Sequence, residues 1–197
     1  YEAMKRVVAQ ERLPLVLVDL DALERNTRRL AALVAESGMT LRVASKSLRV
    51  PDLIRRILQW GAPTLQGIMC YSAAEATLLH EEGFDDLLIA YPSVQRVDLE
   101  LLWELRQRGA DVSLMIDCPD HTRILQRFWA ARSGGGEAPR LPVCIDVDMS
   151  YRPLRGLDAA LGPHLGVQRS PVRDLHGLRR VLEALRRCPA LRLRGVM

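Results

Sequence analysis

Short apolar runs alternate with amphipathic helical stretches almost without a break along this chain, and that alternation limits the folds open to it. Residues 14–20 (PLVLVDL) read as a strand, followed by a helix opening at Asp21. Asp21 and Glu24 have the spacing of a capping box, Leu23, Thr27, Leu30 and Val34 form an apolar stripe, and Gly38 marks the stop. A second strand, 40–45 (TLRVAS), precedes a helix that begins at Pro51 and runs to Trp60. The unit then repeats. Strand 64–70 leads to a second capping box, Ser72 and Glu75, and a helix stopped by Gly83. Strands at 86–91, 111–116 and 141–149 come next, with helices after Pro92 and Pro119. A segment with little helical pattern, 149–173, separates the last of these from a helix over 174–187 and a final strand, 191–197.

Strands separated by helices form parallel sheets, because a parallel pair needs a long crossover. Two architectures compete, an open doubly wound sheet and a (β/α)8 barrel. No G-x-G-x-x-G or P-loop pattern comes after any strand, which disfavours the nucleotide-binding open sheet. The short, evenly spaced units favour the barrel. From the strand before Lys46 onward about six barrel strands are present, so roughly two βα units of a closed barrel are unaccounted for. The expectation is an α/β chain: a leading strand and helix over 1–38, then barrel units over 39–197, with the rest of the barrel and a C-terminal β domain lying outside this sequence. The first residue is Tyr1, not methionine, and the chain reads as a fragment. Such a fragment, with unpaired strand edges, is expected to be poorly soluble by itself.

Composition narrows the function. The 28 Lys and Arg against 24 Asp and Glu give a formal charge of +4, with aromatics at 5% and the arginines spread along helices. This pattern suits solvated helix faces better than a nucleic-acid surface. Four cysteines, Cys70, Cys118, Cys144 and Cys188, lie far apart without a C-x-x-C pair, so neither a disulfide frame nor a metal cluster is expected from them. No signal peptide or membrane-length apolar run is visible, and a reducing cytoplasm is the default compartment.

In a barrel, the C-terminal ends of the strands carry the chemistry. That rule selects Lys46, Tyr71, Tyr91, Asp117 and the stretch from Asp146 to Arg152. A lysine facing a partly desolvated barrel mouth would lose its preference for the ammonium form. A neutral amine there attacks an aldehyde and holds a Schiff base. The alternative is a solvated lysine just past a strand. Asp19 and Asp21 read as helix caps. His80, His121 and His176 fall on helices, away from strand ends, and none has metal-ligand spacing with another histidine.

The order LVLVDLDALERN, LRVASKSLRVPDLIRRIL and SAAEATLLHEEGFDDLLIAYP resembles the N-terminal barrel of the alanine-racemase-like, fold-type III enzymes that use pyridoxal 5′-phosphate (PLP). It is most similar to the D-threonine aldolase and D-serine dehydratase branch. The resemblance runs from about Pro14 to Met197 and is densest over 14–92. It implies that Lys46 is both the catalytic and the cofactor-binding lysine, with Tyr71 and Tyr91 lining the pocket. Relatives carry a VD-x-G-x-x-R-x-G motif where this chain has Asp148-Met149-Ser150-Tyr151-Arg152, so Arg152 becomes the candidate for a contact to the cofactor or substrate carboxylate. Arg155 is the alternative, and in HLGV, His164 stands where relatives have arginine.

The resemblance implies a lyase acting on small amino acids, D-threonine aldolase-like or D-serine dehydratase-like. An amino-acid racemase and a non-catalytic PLP-binding homeostasis protein are the alternatives. It also implies PLP as cofactor, a small amino acid as substrate, no nucleic-acid or membrane partner, and a homodimer at full length. A divalent metal, if present, would be bound by the missing C-terminal part, together with the phosphate-binding and second catalytic residues. A fragment without these is expected to hold PLP badly.

Overall fold

A computed structural model describes residues 1–134, 138–151 and 165–197. Among them, six strands form one parallel sheet in chain order: β1 (Leu41–Ala44), β2 (Leu65–Cys70), β3 (Leu87–Ile89), β4 (Val112–Ile116), β5 (Leu141–Ile145) and β6 (Leu191–Val196). Every neighbouring pair is parallel, and β1 does not pair with β6, so the sheet is an open arc. Helices α1 (Glu2–Val8), α2 (Leu20–Ala35), α3 (Pro51–Gly61), α4 (Ala73–Glu81), α5 (Arg96–Gln107), α6 (Pro119–Ser133) and α7 (Leu175–Arg186) accompany it, α3 to α7 each joining consecutive strands. None of them is long and apolar enough to cross a membrane.

The period of two along each strand divides the apolar residues between the two faces of the sheet. Ile68, Leu87, Ile89, Val112, Leu114, Ile116, Leu141, Val143 and Ile145 pack outward against Ile54, Leu79, Leu99, Leu102, Leu105, Leu125 and Trp129 of the helices. Burying each of these side chains contributes about 1.5–3 kcal/mol relative to exposure. Met69, Leu88, Ala90, Met115 and Cys144 form a separate cluster, which the alternation places on the concave face.

Near the N-terminal strand ends that face is charged. Arg42 donates to the Asp86 carboxylate at 2.9 Å and to its carbonyl at 2.6 Å, and Arg194 donates to Asp86 at 2.5 Å, Asp111 at 2.7 Å and Ser113 at 2.8 Å. This network ties β1, β3, β4 and β6 together across the arc. Gly67 on β2 sits beneath it with φ +68°, and a Cβ there would collide with both the Arg42 guanidinium and an Asp86 oxygen. Only glycine fits.

Two expectations change. Residues 14–20 are not a strand: they pair with none of the described strands, and Val16 is 91% exposed. Apolar alternation gives a strand only where a ladder partner is engaged, and this segment does not pair with the free edge of either β1 or β6. The cap of α2 is Asp19, whose carboxylate accepts from the Ala22 N–H at 2.9 Å, and Asp21 instead sits in the first turn, where its charge suits the helix dipole. Helix α1 had no sequence signal because it buries no residue and so has no apolar stripe to read.

Candidate functional site

The six strands end on one edge of the sheet, and the candidate residues gather there. After Ala44 the chain makes a single 3-10 turn, Ser45–Ser47, which lifts Lys46 beyond the strand. Its anchor is Ser45, which is 1% exposed. The Ser45 hydroxyl contacts the Met69 carbonyl at 3.1 Å and the Glu75 carboxylate at 2.8 Å, and the same carboxylate oxygen accepts from the Tyr71 N–H at 3.0 Å. Glu75 therefore does more than complete the capping box that the sequence suggests. Ser72 does cap α4, accepting from the Glu75 N–H at 3.1 Å, but the Glu75 side chain is spent on joining the ends of β1 and β2.

The backbone beyond Lys46 is also unusual. Leu48 and Arg49 both donate to the Ser45 carbonyl, at 2.9 and 2.8 Å, and Arg49 has φ +53°, a left-handed conformation that costs a non-glycine residue on the order of 1 kcal/mol. The turn is thus held from both sides, and the strain sits next to the lysine.

Lys46 itself is exposed, so these residues do not supply the desolvation expected of a closed barrel mouth. Its Nζ lies 6.0 Å from the centroid of the Tyr91 ring, and the guanidinium carbon of Arg169 lies 5.9 Å from the same centroid. Both cations stand at the outer limit of attraction to the ring quadrupole. Tyr71 makes the equivalent contact with Arg49, at 5.9 Å. Lys46, Tyr91 and Tyr71 thus share one edge of the sheet. Arg152 lies outside the described residues, as do Arg155 and His164.

Arg169 is the residue that sequence reasoning missed. It lies two residues beyond the HLGV stretch, where no helical or strand pattern is present, and it reaches the site because this stretch folds back over β5. The Asp148 N–H donates to the Val172 carbonyl at 2.8 Å, Tyr151 and Leu165 form an antiparallel bridge, and the Ser170 hydroxyl donates to the Asp146 carbonyl at 2.6 Å. The Asp148 carboxylate, wholly buried, accepts from the Ser150 N–H at 3.0 Å and lies 3.4 Å from Arg173 Nε. The chain's own DVD stretch makes this clamp, which no helix or strand periodicity could announce.

Charge on the edge is mixed. Burial, then the neighbouring Asp117, pushes the Asp146 carboxyl above its ordinary value, while Arg169 pulls it back. Burial, then Glu75, pushes the Cys70 thiol up to about 12, and burial likewise raises Cys144. Those two are inert core thiols, and all four cysteines are free. His121 departs from expectation. Although it lies on α6, its Nδ1 is 3.1 Å from Asp117 Oδ1, because one helical turn from the end of β4 returns position 121 to position 117.

The model of the alanine racemase N-terminal domain matches residues 18–197. This chain belongs to that family. It is 28% identical over 135 residues to the 3-hydroxy-D-aspartate aldolase of Paracoccus denitrificans, a match covering 68% of this chain and 33% of that protein. With the D-threonine aldolase of an Arthrobacter species it shares 29% identity over 165 residues, 84% of this chain and 40% of the relative. The crystal structure of the D-threonine aldolase from Filomicrobium marinum superposes with a TM-score of 0.75 at 25% identity, covering 94% of this chain and 43% of that one. The chain thus spans 33–40% of the length of these curated relatives. The open sheet of six parallel strands is an incomplete barrel of the alanine racemase N-terminal type. Family members of the aldolase and racemase kinds depend on PLP.

The donor set on the strand-end edge fits that cofactor. A primary amine for an aldehyde, a guanidinium for an anionic oxygen and two tyrosine rings all stand on this edge.

Proposed function

We propose that this chain is the lysine-bearing part of a PLP-dependent lyase acting on small D-configured β-hydroxy amino acids. The observation that carries the reading is the convergence of Lys46, at the end of β1, and Arg169 on the Tyr91 ring. Its similarity to a 3-hydroxy-D-aspartate aldolase and a D-threonine aldolase supports it.

In this reading Lys46 binds the cofactor aldehyde through Nζ. As a free amine, Nζ would hold or move a proton at one face of the substrate Cα. When bound, PLP supplies an electron sink for the pair left behind when a bond at Cα breaks. Arg169 is the cation for a substrate carboxylate or the cofactor's phenolic oxygen, by a charge-assisted hydrogen bond. Arg152 is a second candidate for that contact. Tyr91 spaces the lysine from the arginine, and Tyr71, with Arg49 over its ring, lines the wall beside it. The Ser45–Glu75–Tyr71 linkage fixes the position from which Lys46 acts, which is where orientation yields rate.

The purified protein at its full encoded length, supplied with PLP, should convert D-threonine either to glycine and acetaldehyde or to 2-oxobutanoate and ammonia. Lys46→Ala should lower kcat/KM by roughly a thousandfold or more. Full turnover by Lys46→Ala, or interconversion of alanine enantiomers without breakdown of any hydroxy amino acid, would overturn the lyase reading.

A further inference from the structure

Where β4 passes into α6, three side chains of different donor type meet: the Asp117 carboxylate, the Cys118 thiol and the His121 imidazole. Their donor atoms all lie within 4.8 Å of one another, and each residue is half-buried. We propose that Asp117, Cys118 and His121 form a binding site for a borderline-soft divalent cation of the zinc type.

The geometry is close to what such an ion needs. In a tetrahedral shell with Zn–S near 2.3 Å and Zn–N or Zn–O near 2.0–2.2 Å, neighbouring donors sit roughly 3.3–3.8 Å apart. The His121 Nδ1 to Asp117 Oδ1 separation is already 3.1 Å, and a spread of 4.8 Å closes to that shell with shifts of about an ångström. The side chains stand on consecutive residues and one helical turn, so no backbone rearrangement is required. Three protein ligands leave a fourth position for water, the arrangement of an open zinc site.

The donor set also selects the ion. Thiolate with imidazole favours zinc over magnesium or calcium, which prefer oxygen shells. Nearby charge is favourable on balance. Asp146 is close enough to Asp117 to feel its charge, and Arg123, on the same helix, is engaged by Asp120. Binding would displace the thiol proton to solvent, leaving a metal thiolate. Without an ion, burial holds the Cys118 thiol above its ordinary value, so the cluster is not a ready-made nucleophile.

Cobalt(II) titration of the purified protein tests this, with no PLP added. The expected result is one equivalent of cobalt giving a thiolate-to-metal charge-transfer band in the near ultraviolet, displaced by zinc. The band should lose one equivalent's intensity in Cys118→Ser, and affinity of that equivalent should fall about tenfold or more in His121→Asn. Cys118 is the N-cap of α6, and serine is a preferred N-cap residue, so Cys118→Ser keeps the helix and isolates the loss of the thiolate. No charge-transfer band in the parent protein, or a band of undiminished intensity in Cys118→Ser, would overturn the proposal. The second outcome would place the metal on another thiol. Neither readout depends on Lys46, so failure here leaves the lyase reading standing, and the reverse also holds.

Discussion

Glu75 carries three structural demands. Its carboxylate holds the Ser45 hydroxyl and the Tyr71 N–H, while its own N–H is capped by Ser72. Replacing it by alanine would leave the fully buried Ser45 hydroxyl with one partner fewer and would strip the Tyr71 N–H of its carboxylate acceptor, at a cost of about 1–3 kcal/mol. Glu75→Ala should therefore lower the urea midpoint at an unchanged slope, and it should weaken PLP retention more than its stability loss alone accounts for, because the Lys46 turn loses an anchor. Unchanged retention in a folded Glu75→Ala protein would mean that the turn is held without Glu75, by the Ser45–Met69 contact and the Leu48 and Arg49 N–H groups. In the sequence this residue stands out as a capping-box glutamate and nothing more. A box pattern specifies who caps the helix, not which distant hydroxyl the side chain reaches 30 residues back.

Among the secondary-structure elements, strand positions were legible because outward-facing apolar residues alternate with a concave set, and helix starts because Pro51, Ser72 and Pro119 stand where first-turn chemistry wants them. What defeated the same reasoning at 14–20 was the absence of a ladder partner, a nonlocal fact. Arg169 escaped for a related reason: it is delivered by the clamp of Asp148, Ser170 and Val172 rather than by periodicity. The Arg42–Asp86–Arg194 network gives this level its own test. Gly67→Ala would push a methyl group into the Arg42 and Asp86 side chains, at a positive φ that strains any residue but glycine. The expected loss is about 1–3 kcal/mol by thermal or urea unfolding, and a variant as stable as the parent would show that the network shifts freely.

Over the molecule as a unit, the open sheet decides what these residues can do together. Strand ends are aligned on one edge, so Lys46, Tyr71, Tyr91, Asp117 and Asp146 share a side of the fold although up to 100 residues separate them. Lys46 is exposed on that edge, and the water exclusion that the proposed chemistry calls for is not supplied by the described residues. The alternation of strand and helix made the architecture readable, and the family motifs pointed to one lysine. They could not show which arginine shares the Tyr91 ring with it, because that depends on how 165–173 returns to β5.

The proposed lyase chemistry rests on Lys46 being the cofactor lysine. Borohydride reduction of the full-length protein after incubation with PLP, then peptide mapping, probes that identity without intermediaries. The expected result is loss of a visible absorbance band and a stable pyridoxyl group on the peptide containing Lys46, absent from Lys46→Ala. A pyridoxyl group on another lysine, or no visible band at saturating PLP, would refute it and leave Lys46 as a solvated residue at a strand end.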